Sequence, residues 1–317
     1  MAEEAMSICA VCNKAADEGK KLSHCARCKD RLYCGKNCQS ADWATHKRVC
    51  KRQNYLLKIH LCPDDITNPQ VFRTLSCPAD ATFEDFHQAL QIAFGWATTH
   101  TYDFKIKDPV AEAARAAEAA EEANMTPEQS MLQIMESLRT TGMPATGVPN
   151  LLRIVEDDPR GPGGFMGGKG IDFMHNGHRQ HPRTPEKKSS KVKLLNVLEK
   201  PAYKYKPFEY EYDFGDCWEH AITLEGRKEG TDFFMCVDGE GHYVAEDAAS
   251  WRGWNKLKSA YRAQRPDKEQ MENMRWFERV ASNRDPQGLK NGRERVWAKG
   301  MINRRLADLA GKALSFT

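Results

Sequence analysis

The chain has 317 residues, of which 40% are hydrophobic and 29% are charged, and its formal net charge is +3. This length predicts one large domain and one small one, because single cores stop growing at about 250 to 300 residues. The composition is that of a soluble globular protein, and so small a net charge does not by itself indicate a nucleic-acid partner. No apolar run reaches the length of about 18 residues that a membrane helix needs, and MAEEAMSICA does not have the pattern of a secretory signal. We therefore expect an intracellular protein, in the cytoplasm or the nucleus, with no membrane partner.

The first 50 residues contain seven of the 11 cysteines, in regular short pairs. In a reducing compartment this crowding indicates metal rather than disulfides. Both members of a pair can reach one metal ion, and two pairs complete a tetrahedral zinc site. Four pairs therefore predict two structural zinc ions with no vacant coordination position, and metal binding would supply most of the stability of so small a segment. The pairs are Cys9 and Cys12, Cys25 and Cys28, Cys34 and Cys38, and His46 and Cys50.

These ligand pairs and the ending CQSADWATHKRVC resemble a MYND-type zinc finger, which we place at residues 1–51. The resemblance implies a protein partner bound through a proline-containing peptide, with Gln39 and Trp43 lining the peptide groove. Trp43 could equally pack the small core of the finger. Ser40 is predicted to cap a short helix on which Trp43 and His46 lie one turn apart. The resemblance also implies two interleaved, cross-braced sites: Cys9, Cys12, Cys34 and Cys38 on one zinc ion, and Cys25, Cys28, His46 and Cys50 on the other.

Residues 52–317 are predicted to form a larger α+β domain. Apolar and polar residues alternate in residues 54–61 and 101–107, which predicts strands, and residues 71–77 continue as another strand. Between the strands at residues 71–77 and 101–107, Thr82 is predicted to cap a helix that ends near Gly95. Strands mixed with one early helix favour an α+β fold with an antiparallel sheet over a regular strand-helix alternation.

The segment YEYDFGDCWEHAITLE, residues 210–225, is predicted to be a β-hairpin. A two-residue turn at Gly215 and Asp216 would place Glu211 opposite His220. In that register the acids and the histidine share one face of the hairpin, and the tyrosines of the first strand point the other way.

Four blocks of the larger domain resemble successive blocks of the plasmid pRi ORF-three-like family, and together they run from about Tyr55 to Leu309. The signature YDFGDCWEH and a GW dipeptide before a histidine carry the resemblance most specifically. The resemblance implies a fold rather than an activity, because the family has no securely established activity. The chain departs from the family at Ala248 and Ala249, where relatives tend to have paired glycines, and this puts the shape of that loop in question.

A long insertion, at about residues 108–205, separates the halves of this family pattern. An Ala/Glu-rich helix opens it, and a second helix starts at Pro127. The second helix carries an apolar stripe, which could dock on the parent domain or on a partner. The residues from 141 to 190 are rich in Gly, Pro, Lys and His, and we expect them to be mobile in part. The stripe consists of Met131, Ile134, Met135 and Leu138.

One group of acids and histidines from separate segments could form a site in the larger domain. Such a group suits a hydrolytic metal site or an acid/base pair, but it suits equally a buried network that fixes a sheet and a loop. No nucleophile elbow, oxyanion motif or cofactor fingerprint accompanies it, which favours the structural interpretation. The candidates, should the protein be an enzyme, are His100, Asp213, Asp216, His220, Glu246 and Asp247.

The sequence therefore predicts a zinc-binding, non-enzymatic adaptor, whose finger captures a partner peptide and whose α+β domain is a second binding module. The alternative is a metal-dependent hydrolase or a nucleic-acid-acting protein that uses the His/Asp/Glu group. From Asn255 onward lysines and arginines outnumber acids about two to one, which would suit nucleic acid or a solvated helical face.

Overall fold

The computed structural model describes residues 8–16, 21–140, 147–157, 181 and 183–314, without the side chains of 133, 134, 137–140 and 311–314. Most of the segment that we expect to be mobile, and the side chains of Ile134 and Leu138, lie outside the described residues. The described chain forms a small finger followed by a mixed α+β domain, which confirms the predicted fold class.

The finger consists of a short antiparallel pair of strands and one helix. Strands β1 (Ser23–His24) and β2 (Leu32–Tyr33) pair, and helix α1 (Lys36–His46) follows. The predicted cap was wrong: Gly35 precedes the helix, and Ser40 lies inside it. The helix begins at Lys36, four residues before Ser40, and the Sγ atom of Cys38 in its first turn lies 3.3 Å from that of Cys34.

An eight-stranded sheet forms the centre of the larger domain, in the order β10-β4-β3-β9-β8-β5-β6-β7. Neighbouring strands are antiparallel except β6 and β7, which are parallel. The strands predicted before the insertion are confirmed, at Asn54–Leu61, Phe72–Cys77 and Tyr102–Ile106. The bounds are β3 Asn54–Leu61, β4 Phe72–Cys77, β5 Tyr102–Ile106, β6 Leu152–Val155, β7 Glu186–Lys188, β8 Phe208–Tyr212, β9 Trp218–Lys228 and β10 Met235–Glu240.

The insertion contributes β6 and β7 to the edge of the sheet, besides the two predicted helices. Its second helix does not place its methionines against the parent domain, because Met131 and Met135 are 65% and 61% exposed. The α-helices in the described part of the insertion are α3 (Pro109–Glu122), α4 (Pro127–Thr140) and α5 (Leu194–Leu198).

Helix α2 (Phe83–Phe94) packs on one face of the sheet and begins and ends as the sequence predicts. Thr82 and Asp85 form a capping box, and Gly95 ends the helix in the left-handed conformation. Phe83 packs edge-on against Phe104, and the hydroxyl of Tyr210 bonds to the side chains of His87 and Gln91 on the helix. In the described chain, three α-helices follow the sheet: α6 (Ser250–Arg262), α7 (Lys268–Arg279) and α8 (Lys299–Leu314).

The predicted register of the hairpin was wrong by one residue. Tyr210 pairs with His220, and Glu211 pairs with Glu219, because residues 213–217 form the connection instead of a two-residue turn. Asp213 adopts a left-handed φ of 59°, and its carboxylate accepts hydrogen bonds from the backbone N–H groups of Gly215 and Asp216. A one-residue shift moves side chains to the opposite face of a strand. His220 therefore shares the α2-facing side with the tyrosines, and Glu211 lies on the other side, where it contacts Lys105.

Candidate functional site

The structure gathers the eight predicted zinc ligands into the two expected groups, and within each group the ligand atoms lie within 4.8 Å of one another. In the first group, the Sγ atom of Cys34 lies 3.6 Å from that of Cys12. In the second group, Cys25 Sγ and Cys50 Sγ are 3.7 Å apart, and Cys28 Sγ lies 3.6 Å from His46 Nε2. The ligand pairs of the two groups alternate along the chain, which is the cross-braced arrangement.

The two groups fit two zinc ions. A tetrahedron with bonds of about 2.3 Å separates its ligand atoms by about 3.8 Å, close to the distances between these side chains. Backbone N–H groups of Cys12 and Val11 lower the pKa of Cys9 to about 6. Burial raises the pKa of Cys25, but backbone N–H groups of Cys28 and Arg27 outweigh it and lower that pKa to about 6. At Cys9 and Cys25 the turns themselves thus favour the thiolate form that zinc requires. By contrast, the neighbouring Cys34 raises the pKa of Cys38 and burial raises that of Cys50, each to about 12.

The four protein side chains of each group would complete a tetrahedral zinc site, so bound ions would support the fold and would offer no position for a substrate. Asp42, on α1, reinforces the second site from outside. Its carboxylate accepts a hydrogen bond of 2.7 Å from the hydroxyl of Tyr33 and one of 3.1 Å from Arg31. The hydrogen bond from Tyr33, assisted by the charge of Arg31, lowers the pKa of Asp42. This contact ties α1 to strand β2 of the finger.

Gln39 and Trp43 lie four residues apart on α1, and therefore on one face of the helix. Gln39 is half-buried, whereas the side chain of Trp43 is 40% exposed. The ring of Trp43 lies edge-on to that of His46, with 6.0 Å between the ring centroids. Trp43 thus rests on a zinc ligand and keeps a large apolar surface in solvent.

Three of the six candidates in the larger domain come together as a second cluster, His100, Asp213 and Asp247, which we call the His100 cluster. Nδ1 of His100 lies 3.6 Å from Asp213, and its Nε2 lies 3.0 Å from Asp247. The hydroxyl of Ser282 donates to the other oxygen of Asp247. Asp216 is close by. Burial and the charge of Asp247 raise its pKa, and backbone N–H groups of Ser250 and Ala249 partly offset this rise.

The other two candidates have different surroundings. Glu246 is fully buried and accepts hydrogen bonds from the backbone of Ala97 and the hydroxyls of Thr99 and Tyr212. His220 is fully buried beside Phe94, with 4.8 Å between the ring centroids, and burial lowers its pKa to about 3. These two side chains hold the core and the loop that carries His100.

Left-handed backbone concentrates around the His100 cluster. Asp213, Cys217, Asp247, Ala249 and Ser250 have φ values between 55° and 69°. The loop therefore keeps a glycine-like conformation at Ala249, despite the departure from the family pattern. Each such residue costs about 1–2 kcal/mol, so the rest of the domain holds this region in place.

Sequence reasoning missed two residues that organise this region, Ser282 and Asn283. The side chain of Asn283 donates to the carbonyls of Gly95 and Val244 and accepts from the backbone N–H of Glu246. No motif surrounds them in the sequence, and their partners lie far away along the chain, so no local pattern could have identified them.

The fold and the ligand groups define a protein with a two-zinc finger and a mixed α+β domain. The family model of the plasmid pRiA4b ORF-3-like protein matches residues 53–287, and that of the MYND finger matches residues 9–50. The chain belongs to the plasmid pRiA4b ORF-3-like protein family and carries a MYND finger beside that domain. Both resemblances seen in the sequence are thereby confirmed.

Individual relatives match one domain or the other. The chain is 24% identical over 198 residues to the uncharacterized protein y4hQ of Sinorhizobium fredii, which covers 62% of this chain and 68% of that protein. It is 40% identical over 48 residues to the SET domain and MYND-type zinc finger protein 6 of Schizosaccharomyces pombe. That match covers 15% of this chain and only 10% of the relative.

A solved structure of a protein of unknown function from Methanosarcina mazei Go1 is similar at a TM-score of 0.43 and 22% identity, covering 71% of this chain and 89% of that one. Within the described residues of this chain, no helix has both the length and the apolar character needed to cross a membrane.

Proposed function

We propose that this protein is an adaptor whose zinc-bound finger captures a proline-containing peptide of a partner protein on the face formed by Gln39 and Trp43, with the α+β domain as a second binding module. The observation that carries the proposal is the 40% exposure of Trp43, whose ring lies edge-on to His46 of the second ligand group. A flat apolar ring beside a side-chain amide suits a proline-rich segment, which brings an apolar surface and free backbone carbonyls.

The chemistry of the finger supports binding rather than catalysis, because both ligand groups are complete with protein side chains. The ring of Trp43 contacts that of His46, so zinc binding at His46 also fixes the position of the tryptophan. The metal would thus act on recognition by holding the surface rigid, which lowers the entropic cost of binding.

The test is direct binding to an array of immobilised proline-containing peptides, followed by fluorescence anisotropy on those that bind. The zinc-loaded full chain is compared with Trp43→Ala. Trp43→Ala removes an aromatic ring that the bound peptide would cover, so we expect it to weaken binding by about tenfold or more.

Val49→Ala is the matched control, since Val49 is an apolar residue of the finger, 67% exposed, that lies outside α1. This variant should bind within about twofold of the wild type. All three proteins should hold equal zinc. Equal affinities for wild type and Trp43→Ala, or no peptide bound below about 1 mM, would contradict the proposal.

The geometry of the His100 cluster favours a second candidate function, metal-assisted hydrolysis of a phosphoester. One imidazole nitrogen and two carboxylates lie within 4.8 Å of one another, as ligands of a catalytic divalent ion do. Elemental analysis and a phosphoester screen test this candidate. Metal-assisted hydrolysis requires a third metal ion per chain, which should be lost in His100→Gln, and measurable hydrolysis in the screen. Two zinc ions, no further metal and no hydrolysis would end it.

A further inference from the structure

A cleft of about 860 Å³ in the larger domain has features of a ligand site that the proposed function does not use. Its walls come from the end of α2, the loop at residues 242–243, residues 282–287, and the start of α8. All of its lining residues belong to the larger domain, so it is separate from the finger. Its volume is that of a site for a nucleotide-sized molecule, since small-molecule pockets span about 300–1,000 Å³.

The floor of the cleft contains a buried cation, Arg73, which is 2% exposed. Its guanidinium donates to the backbone carbonyls of Phe72, Ala93, Glu240 and Gly241. Among the described residues no carboxylate forms an ion pair with it. Buried charges are usually paired, so this positive charge has no anion to balance it within the described chain. Burial lowers its pKa only to about 10, so the group stays charged at neutral pH.

The rest of the lining adds positive charge. Arg284 and Arg305 are exposed at the cleft and form no ion pair in the described part of the chain. The one acid in the lining, Asp285, is already bound by His242 at 3.0 Å and by Arg293 at 2.6 Å. The electrostatic field in the cleft therefore favours an anion.

Aromatic rings beside these cations select the shape of the anion. The half-buried rings of Trp297 and Tyr243 line the cleft, and the guanidinium of Arg73 lies 5.4 Å from the ring centroid of Trp297. Trp96, 3% exposed, also lines it, and its indole N–H has no acceptor among the described residues. Flat rings next to arginines suit a planar base joined to a phosphate.

We propose that this cleft binds a nucleoside phosphate, either as a free nucleotide or as one unit of a single-stranded nucleic acid, with the base against Trp297 and the phosphate beside the arginines. An inorganic anion would leave most of the cleft empty, and an acidic peptide would leave the aromatic rings without a planar partner.

Calorimetric titration of the zinc-loaded full chain, without magnesium, tests the proposal. The probes are AMP, ATP, ribose 5-phosphate, poly-glutamate and a ten-nucleotide oligothymidylate. AMP or the oligonucleotide should bind saturably. Ribose 5-phosphate should bind about tenfold more weakly than AMP, because it lacks the base. Binding of the oligonucleotide without binding of AMP would identify a single-stranded nucleic acid as the ligand. Binding of AMP at least as tight as that of the oligonucleotide would identify a free nucleotide.

The chain offers a matched pair of variants on α8. Arg305 lines the cleft, and its neighbour Arg304 is also exposed but does not line it. Arg305→Gln should weaken binding by about tenfold, and Arg304→Gln by less than about twofold. Equal weakening by both variants, saturable binding of ribose 5-phosphate as tight as that of AMP, binding of poly-glutamate alone, or no binding of AMP, ATP or the oligonucleotide at about 1 mM would each overturn the proposal.

Discussion

The phenol of Tyr212 donates a hydrogen bond to Glu246 in the core of the larger domain. Its oxygen also accepts hydrogen bonds from the backbone N–H groups of Thr99, at 3.0 Å, and His100, at 3.3 Å. One side chain of β8 thus holds both the loop that carries His100 and the loop that carries Glu246 and Asp247. Burial, and the nearby charge of Glu246, raise the pKa of Tyr212, so the phenol keeps its proton as the donor.

Removing this hydroxyl should destabilise the larger domain. In Tyr212→Phe the carboxylate of Glu246 loses a donor and two backbone N–H groups lose their acceptor, at a cost of about 1–3 kcal/mol. Urea denaturation followed by tryptophan fluorescence measures the change. The control is Tyr205→Phe, which should leave stability unchanged because Tyr205 is 91% exposed. Equal stability of the two variants would show that the hydroxyl of Tyr212 is not a structural contact.

Ala249→Gly should stabilise the protein. Ala249 has a φ of 62°, which an L-residue with a Cβ adopts at a cost and glycine adopts freely. Part of the gain is lost to the greater freedom of glycine in the unfolded chain, so we expect about 0.5–1 kcal/mol from denaturation midpoints. Ala307→Gly, at an exposed position inside α8, should instead destabilise by about 1 kcal/mol. Two changes of the same sign would contradict the left-handed conformation at Ala249.

His220 should make stability depend on pH. Its pKa is lowered to about 3 by burial, whereas in an unfolded chain it is about 6.5. Below about pH 6.5 the unfolded chain binds a proton that the folded chain excludes. The free energy of unfolding therefore falls by up to about 1.4 kcal/mol for each unit by which the pH is lowered. Above that pH the group contributes no slope.

Unfolding free energies of wild type and His220→Leu between pH 7.5 and 5 measure this effect, and the variant should show the shallower slope. Proton uptake by zinc ligands acts on both proteins alike, so the difference isolates His220. Parallel slopes would mean that the imidazole of His220 is not held neutral by the core.

Each ligand group should hold its own zinc ion. Cys50→Ser removes a ligand from the second group only, and we expect bound zinc to fall from two ions per chain to about one. Elemental analysis after gel filtration gives the ratio. Cys217→Ser changes an exposed cysteine outside both groups and should keep two. Two ions in Cys50→Ser would exclude Cys50 as a ligand.

The sequence was most informative where chemistry imposes a local spacing. The ligand pairs of the finger, the capping box at Thr82 and the turn at Gly95 each follow from residues a few positions apart. The N-cap of α1 was misplaced at Ser40 because Ser is a favoured N-cap residue, whereas the helix already begins at Lys36, between the ligands Cys34 and Cys38.

Long-range geometry was beyond the sequence. The carboxylate of Asp213 stabilises a connection longer than a two-residue turn. The pairing of the two strands therefore shifts by one residue, which places His220 on the other face of the hairpin. Strands β6 and β7 are too short to show an alternation of apolar and polar residues. In the structure β6 pairs with β5, and β7 pairs with β6. The cleft above Arg73 draws its lining from positions scattered between Arg73 and Arg305, so only folding brings them together.

We expect zinc in the finger to hold in place the peptide-binding face that contains Trp43. The most direct measurement follows peptide binding and bound zinc together, as a chelator removes the metal from the full chain and zinc is then restored. We predict that binding falls in proportion to the zinc released from the group containing His46, and that it returns on reloading. A metal-free protein that binds the peptide as tightly as the zinc-loaded one would contradict the account.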